Sequence, residues 1–221
     1  MFHTHTKNDL VWLTSDVLEN DAVTHGFSTR KGGVSPAPWD SLNLDDRRGD
    51  DIANVQENFR RLCAALDTDV QRAVLSRQVH RSDVRRVIGA AHAGWRGTAA
   101  GIAAETVRVM AQDYGCNPAD IRAAVGPAIG QCCFETDSDV PEALRATLGA
   151  AAEPFMVWNG SKWHIDLKAV NALWLQKAGV TRIDVCSHCT ACRPDLYWSH
   201  RKMGLRRGEQ AALIALREDT L

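Results

Sequence analysis

The sequence lacks what would place it in a membrane or on a polyanion. No apolar stretch approaches the length that a bilayer-spanning helix needs. The opening "MFHTHTKNDL" has neither the basic start nor the apolar core of a secretion signal. Both absences lead to an expectation of a cytoplasmic protein with no membrane partner. An excess of one charge is missing too. Against 26 Lys and Arg stand 27 Asp and Glu, a net charge of -1, so no global field recruits nucleic acid and any phosphate binding must be local. No repeat of fixed period and no linker interrupts the chain. With 45% hydrophobic and 24% charged residues over 221 positions, a single globular domain spanning 1–221 is expected.

Cysteine, by contrast, is abundant. An odd count of seven without a secretion signal argues against a disulfide framework. Cys63 lies inside a helical pattern and Cys116 just after one, so both read as small buried hydrophobes. The adjacent Cys132 and Cys133, and the cluster "CSHCTAC" (Cys186, His188, Cys189, Cys192), contain spacing that suits zinc or redox chemistry. A structural zinc normally needs a second paired motif. None is read elsewhere in the chain, so these thiols are expected to be mainly structural.

Strand-like and helix-like pieces alternate. "HGFSTR" (25–30) reads as a short strand ending at a Lys-Gly-Gly turn. "DDIANVQENFRRLCAALD" sets Ile52, Val55, Phe59, Leu62 and Leu66 on one helix face behind an Asp N-cap. "AVLSRQVH" and "RVIGAAHA" read as strands ending at His80 and near His92. The run from Thr98 to Tyr114 reads as one helix, with Ile102, Thr106 and Met110 on a face and Gly115 as its C-terminal cap. Further on, "IRAAVGPAIG" is a strand entering a Gly-Pro turn, "DLKAVNALWLQKAGV" a helix capped by Asp166, and "RIDVCSHC" another strand. The fold class that follows is α/β or α+β.

His92 therefore stands where a strand hands over to a helix, beside the turn "GWRG". Such a handover leaves backbone N–H groups facing outward, and Arg96 adds a planar cation suited to phosphate or carboxylate. Two neutral imidazoles, His80 and His92, brought together at strand ends would hold zinc given a third ligand. A lone histidine is more often a hydrogen-bonded structural residue, and that alternative stays open.

The segments "HGFSTRKGGVS", "SLNL", "ENFRRL", "RQVHRSDV", "AAHAGWRGTAAGI", "AVGPAIGQCCFE", "WHIDLKAVNALWLQKAGV" and "CTACRPDLYWSHRK" occur in the order seen in the YfiH family of laccase-domain proteins. From about His25 to the C-terminus the chain resembles that family. The resemblance implies a four-layer α/β/β/α sandwich with mixed sheets, similar to the cytotoxic necrotizing factor catalytic domain. It implies a zinc-dependent purine nucleoside enzyme. The reactions would be phosphorolysis of adenosine, inosine and methylthioadenosine, with some adenosine deamination, so the partners would be a purine nucleoside and phosphate. Other readings of the family are copper-dependent polyphenol oxidation, a role in peptidoglycan editing, and a non-catalytic binding module. Copper laccase chemistry needs several coppers and many histidines, whereas only two of the eight histidines here match a site.

By resemblance, His80 and His92 are the metal ligands and catalytic residues. Arg30 and Arg96 hold phosphate or other polar parts of the substrate, and Ser28 and Asn43 line the pocket. Each arginine fits a structural salt bridge equally well, and Trp95 fits either a base-stacking or a core role. The family's third ligand, a cysteine between the two histidines, does not carry over. Only 11 residues, Arg81 to Ala91, intervene, and none is cysteine. "RQVHRSDVR" runs straight into "RVIGAAHAGWRG", as though a block near Arg85 to Val87 had been removed. Three explanations stand: the block lies outside this sequence, the chain lacks it and keeps two imidazoles, or another cysteine has moved in. Losing a strand from the middle of a sheet would expose edges that nothing here covers, which favours the first. A second departure is Gly208-Glu209 where relatives carry Gly-Arg, with Arg206 and Arg207 just upstream as compensating cations.

Overall fold

The computed structural model describes residues 1–70 and 87–217. They fall into two compact bodies, one built from Met1–Arg77 with Thr190–Leu221 and the other from Gln78–Cys189.

The first body is organised on a four-stranded antiparallel sheet. Its strands are β1 (Phe2–Lys7), β2 (Leu10–Ser15), β3 (Val23–Ser28) and β9 (Ala212–Leu216), in the order β1-β2-β3-β9. Asn8 and Asp9 join β1 to β2 with φ of 48° and 65°, the paired positive angles of a two-residue hairpin turn, and Lys7 faces Leu10 across it. Helix α1 (Ile52–Ala65) starts at Asp51, whose carboxylate accepts from Ala53 N at 2.9 Å. Its Leu62, with Leu66 just beyond, joins Leu10, Trp12, Leu42 and Leu44 in one apolar cluster. The strand yields to the helix at Gly26, where a Cβ would come within 2.7 Å of Leu66 Cδ2. Full burial of a leucine such as Leu62 contributes about 1.5–3 kcal/mol. Ile52, expected on the buried face, is 58% exposed. It stands at the first position of α1, before the helix reaches the sheet.

In the second body, β4 (Arg122–Val125) and β8 (Arg182–Val185) pair in parallel. A separate antiparallel sheet runs in the order β5-β7-β6, from β5 (Glu135–Thr136), β7 (Trp163–Ile165) and β6 (Met156–Trp158). Among the described residues four α-helices accompany them: α2 (Trp95–Ala99), α3 (Ile102–Tyr114), α4 (Asp139–Leu148) and α5 (Leu167–Lys177). Val140 and Leu144 of α4, Ile165 of β7 and Leu167 and Val170 of α5 form the main core with Phe134, and Trp95 packs against it. The architecture is a mixed α/β fold with several sheets. Among the described residues no helix is long and apolar enough to cross a membrane.

Two expectations are corrected in this body. Residues 87–94 form no ladder, so the strand read over "RVIGAAHA" is irregular backbone. A strand is stable only against a neighbour, and among the described residues none pairs with this segment. The single helix read from Thr98 to Tyr114 is two helices, broken at Gly101 with φ +76°. The indole of Trp174 covers Gly101, and its Nε1 donates to Thr98 O at 2.8 Å, satisfying a carbonyl at the end of α2. The caps at Asp166 and Gly115 are as expected: Asp166 accepts from Ala169 N at 3.0 Å, and Gly115, φ +69°, closes α3. The strand expected over "AVLSRQVH", with His80, lies outside the described residues.

Candidate functional site

His92 sits on the irregular segment before α2, exposed, with its Nε2 above Gly94, where a Cβ would meet it at 3.1 Å. Gly94 is the N-cap of α2, so the bare Cα gives the imidazole room beside the turn. Arg96 is exposed one turn on. Its guanidinium lies 4.3 Å from the ring centroid of Trp95, which is itself half-buried against the core. The structure thus brings His92 and Arg96 to either side of the Gly94-Trp95 pair, and Trp95 takes a packing role.

The other three named residues belong to the first body, and their polar groups are heavily engaged. Arg30 donates from Nε and Nη2 to Asp40 O at 2.9 and 2.7 Å and from Nη1 to Pro194 O at 2.9 Å. Its plane lies 3.8 Å over Trp198. With Lys31, Asp40, Ser41 and Asp195 it lines a shallow polar hollow of about 190 Å³. Ser28 is buried, and its Oγ accepts from Ala211 N at 2.9 Å. Asn43 is fully buried. Its amide donates to Asp45 O and Asp50 Oδ2 while its oxygen accepts from Asp45 N and Glu209 N.

Glu209 stands in a cationic cluster. Its Oε1 accepts from Arg48 Nε at 2.9 Å and from Arg48 Nη2, and Arg207 Nη2 approaches to 3.5 Å. Burial pushes the Arg207 guanidinium down from its ordinary value, opposed by Glu209. Asp45 beside them is pushed up by burial. Hydrogen bonds from Arg47 and the charges of Arg47 and Arg48 outweigh that and hold its carboxyl below the usual range.

The second body gathers thiols. Beyond the C-terminal ends of β4 and β8 the chains stay together: Cys186 N donates to Val125 O at 2.9 Å, and Ala128 bridges to Cys189 in parallel. A tight turn then returns at Gly130, whose oxygen accepts from Cys133 N and Phe134 N, both at 3.0 Å. Gly130 N donates to Cys189 Sγ at 3.2 Å. The sulfurs of Cys132, Cys133 and Cys189 lie within 4.8 Å of one another. No second Cys-x-x-Cys pair supplies these sulfurs; the adjacent Cys132 and Cys133 meet Cys189 through the fold. The signal was the pair itself, which carries no fixed spacing to a partner. Cys63 and Cys116 lie apart from this cluster, and burial pushes both thiols up.

An open groove of about 440 Å³ lies along α5 and is lined among others by Phe155, Lys168, Leu173 and Cys186. None of the site residues named from sequence lines it.

These features define a mixed α/β protein with a histidine beside a glycine turn and thiols past the ends of parallel strands. Residues 24–87 and 82–217 match the family model described as multi-copper polyphenol oxidoreductase laccase. The chain belongs to that family. It is 31% identical to a Geobacillus stearothermophilus protein named purine nucleoside phosphorylase YlmD, covering 94% of this chain and 95% of the relative. It is 34% identical to a Deinococcus radiodurans purine nucleoside phosphorylase, over 89% and 90% of the two chains. The crystal structure of YlmD from G. stearothermophilus superimposes with a TM-score of 0.85 at 30% identity, covering 98% and 99% of the two chains. The YlmD sequence alignment runs over 261 positions against a chain of 221, so at least 40 positions face a gap here.

Proposed function

We propose that the chain is a purine nucleoside phosphorylase with a zinc ion held by His80 and His92, acting on adenosine, inosine and methylthioadenosine and deaminating adenosine to a lesser extent. The observation that carries this reading is similarity along nearly the whole chain to proteins bearing that name. In phosphorolysis a phosphate oxygen bonds to the ribose carbon as its bond to the purine nitrogen breaks, and the departing base takes up a proton. The protein's task is to gather the anion and orient the sugar. Arg96, exposed beside His92, suits the first role. Arg30, Ser28 and Asn43 keep the binding roles that the resemblance gives them. Zinc, when bound, would lower the pKa of water for the deamination.

The proposal includes one four-layer domain spanning both bodies, in the cytoplasm, and a missing block near residues 85–87. The family match in two segments meeting at 82–87, and the alignment longer than the chain, support that block's absence. A non-catalytic binding module is the second reading, favoured by the lack of a cysteine between the two histidines. Phosphate-dependent release of hypoxanthine from inosine, followed by chromatography, separates them. The expected result is release that requires phosphate and that Arg96→Ala weakens by raising KM for phosphate roughly tenfold, with unchanged folding. Binding of inosine with no release in any buffer overturns the enzyme reading.

A further inference from the structure

We infer that Cys132, Cys133 and Cys189 form a thiolate site for a zinc ion, separate from the histidine pair and independent of the nucleoside reading. Three observations carry it. The first is convergence: one turn and one strand extension deliver three sulfurs within 4.8 Å of one another, and Cys132 Sγ lies 3.7 Å from Cys133 Sγ. Tetrahedral zinc with zinc–sulfur bonds of about 2.3 Å sets its sulfurs about 3.8 Å apart. The vicinal pair already has that edge.

The second is the cradle. Gly130 faces the sulfurs, and a Cβ there would lie 3.1 Å from Cys189 Cβ, 3.4 Å from Cys132 Sγ and 3.5 Å from Cys189 Sγ. A side chain at residue 130 would occupy the space between the two thiols. The third is the support behind them. Lys168, on the first turn of α5, is 7% exposed, and its ammonium donates to Cys186 O at 2.5 Å and His188 O at 2.9 Å. It pins the backbone of the segment that presents Cys189. On the other side Phe134 is 9% exposed in the core, and Gln131 Nε2 donates to Phe155 O at 3.2 Å. Both flanks of the site are held before any ion arrives.

Three sulfurs suit zinc over harder cations such as magnesium or calcium. Each thiol that ligates releases its proton, so binding liberates up to three protons per zinc. Cys192 follows Cys189 at the Cys-x-x-Cys interval common in thiolate zinc sites. Because the ligands come from the extensions of β4 and β8, the ion would tie two loops together.

The test uses the reduced, metal-free full chain and a His92→Ala variant, titrated with cobalt(II). The expected result is sulfur-to-cobalt charge-transfer absorption in the near ultraviolet, saturating at one equivalent in both proteins and displaced by zinc. Cys132→Ser, at an exposed position, should weaken binding roughly tenfold or more. On the unaltered chain, alkylation read by intact mass should show zinc protecting at least three thiols, with protection lost on chelation. Absence of the charge-transfer band in the His92→Ala variant overturns the proposal, as does zinc that leaves all thiols open to alkylation. Absence of nucleoside turnover in the unaltered chain with the band intact would instead count against the nucleoside reading alone.

Discussion

His25 and His92 differ in what surrounds the ring. His92 is exposed, and the sequence marks it because glycines and an arginine follow it. His25 is 5% exposed, and its Nε2 accepts from Ser15 N at 2.8 Å across the hairpin. Nothing in "HGFSTR" distinguishes it, because its burial depends on pairing with residues ten positions away. Burial lowers its pKa below the ordinary 6.5, more than Glu19 raises it. The unfolded chain therefore binds a proton that the folded chain resists, and stability falls as pH drops below about 6.5 towards the folded value. His25→Gln should cost about 1–2 kcal/mol at pH 7.5, from the altered hydrogen bond to Ser15. That deficit should shrink as denaturant titrations move to pH 5.5, because the variant no longer carries the buried base. A deficit constant across the range would show that His25 does not titrate as argued.

At the scale of elements, starts and stops were legible and interruptions were not. Asp51, Asp166 and Gly115 are local signals acting on the nearest turn, so they can be read without knowing the fold. The break at Gly101 depends on Trp174, which is 73 positions away in sequence and reaches it only through packing. The β1–β2 turn was local but easily missed, because Asn-Asp is a weaker signal for positive φ than Asn-Gly. Gly101→Ala distinguishes the continuous helix from the broken one by sign. In a continuous helix the change would stabilise by about 1 kcal/mol. At φ +76° it should destabilise by roughly 1–2 kcal/mol, since a Cβ meets only ordinary contacts with Trp174 and the cost is in the backbone. Urea denaturation of the two proteins reads the sign directly.

For the whole molecule, the ordered motifs made the family legible, while the division into bodies was not. One body is assembled from both ends of the chain, and no linker composition announces it. The same motifs carry the proposal of a missing block, because "RQVHRSDVR" and "RVIGAAHAGWRG" directly adjoin. A zinc held by two imidazoles lacks the third protein ligand typical of catalytic sites, which weakens both its affinity and its hold on geometry. On the proposal that a block is missing between Arg85 and Arg86, inserting there whatever segment the Geobacillus relative carries between the matching motifs would restore a third ligand if one lies in it. Such a chimera should raise both zinc affinity and phosphate-dependent release of hypoxanthine roughly tenfold or more over the 221-residue chain. Isothermal titration in a background with Cys132, Cys133 and Cys189 all replaced by Ser keeps the thiol cluster out of the zinc measurement. A chimera that folds with an unchanged far-ultraviolet spectrum but gains neither affinity nor turnover would mean that the missing block is not what limits the histidine site. Glu209, held by Arg48 and Arg207, would then be the next residue to test, by Glu209→Arg.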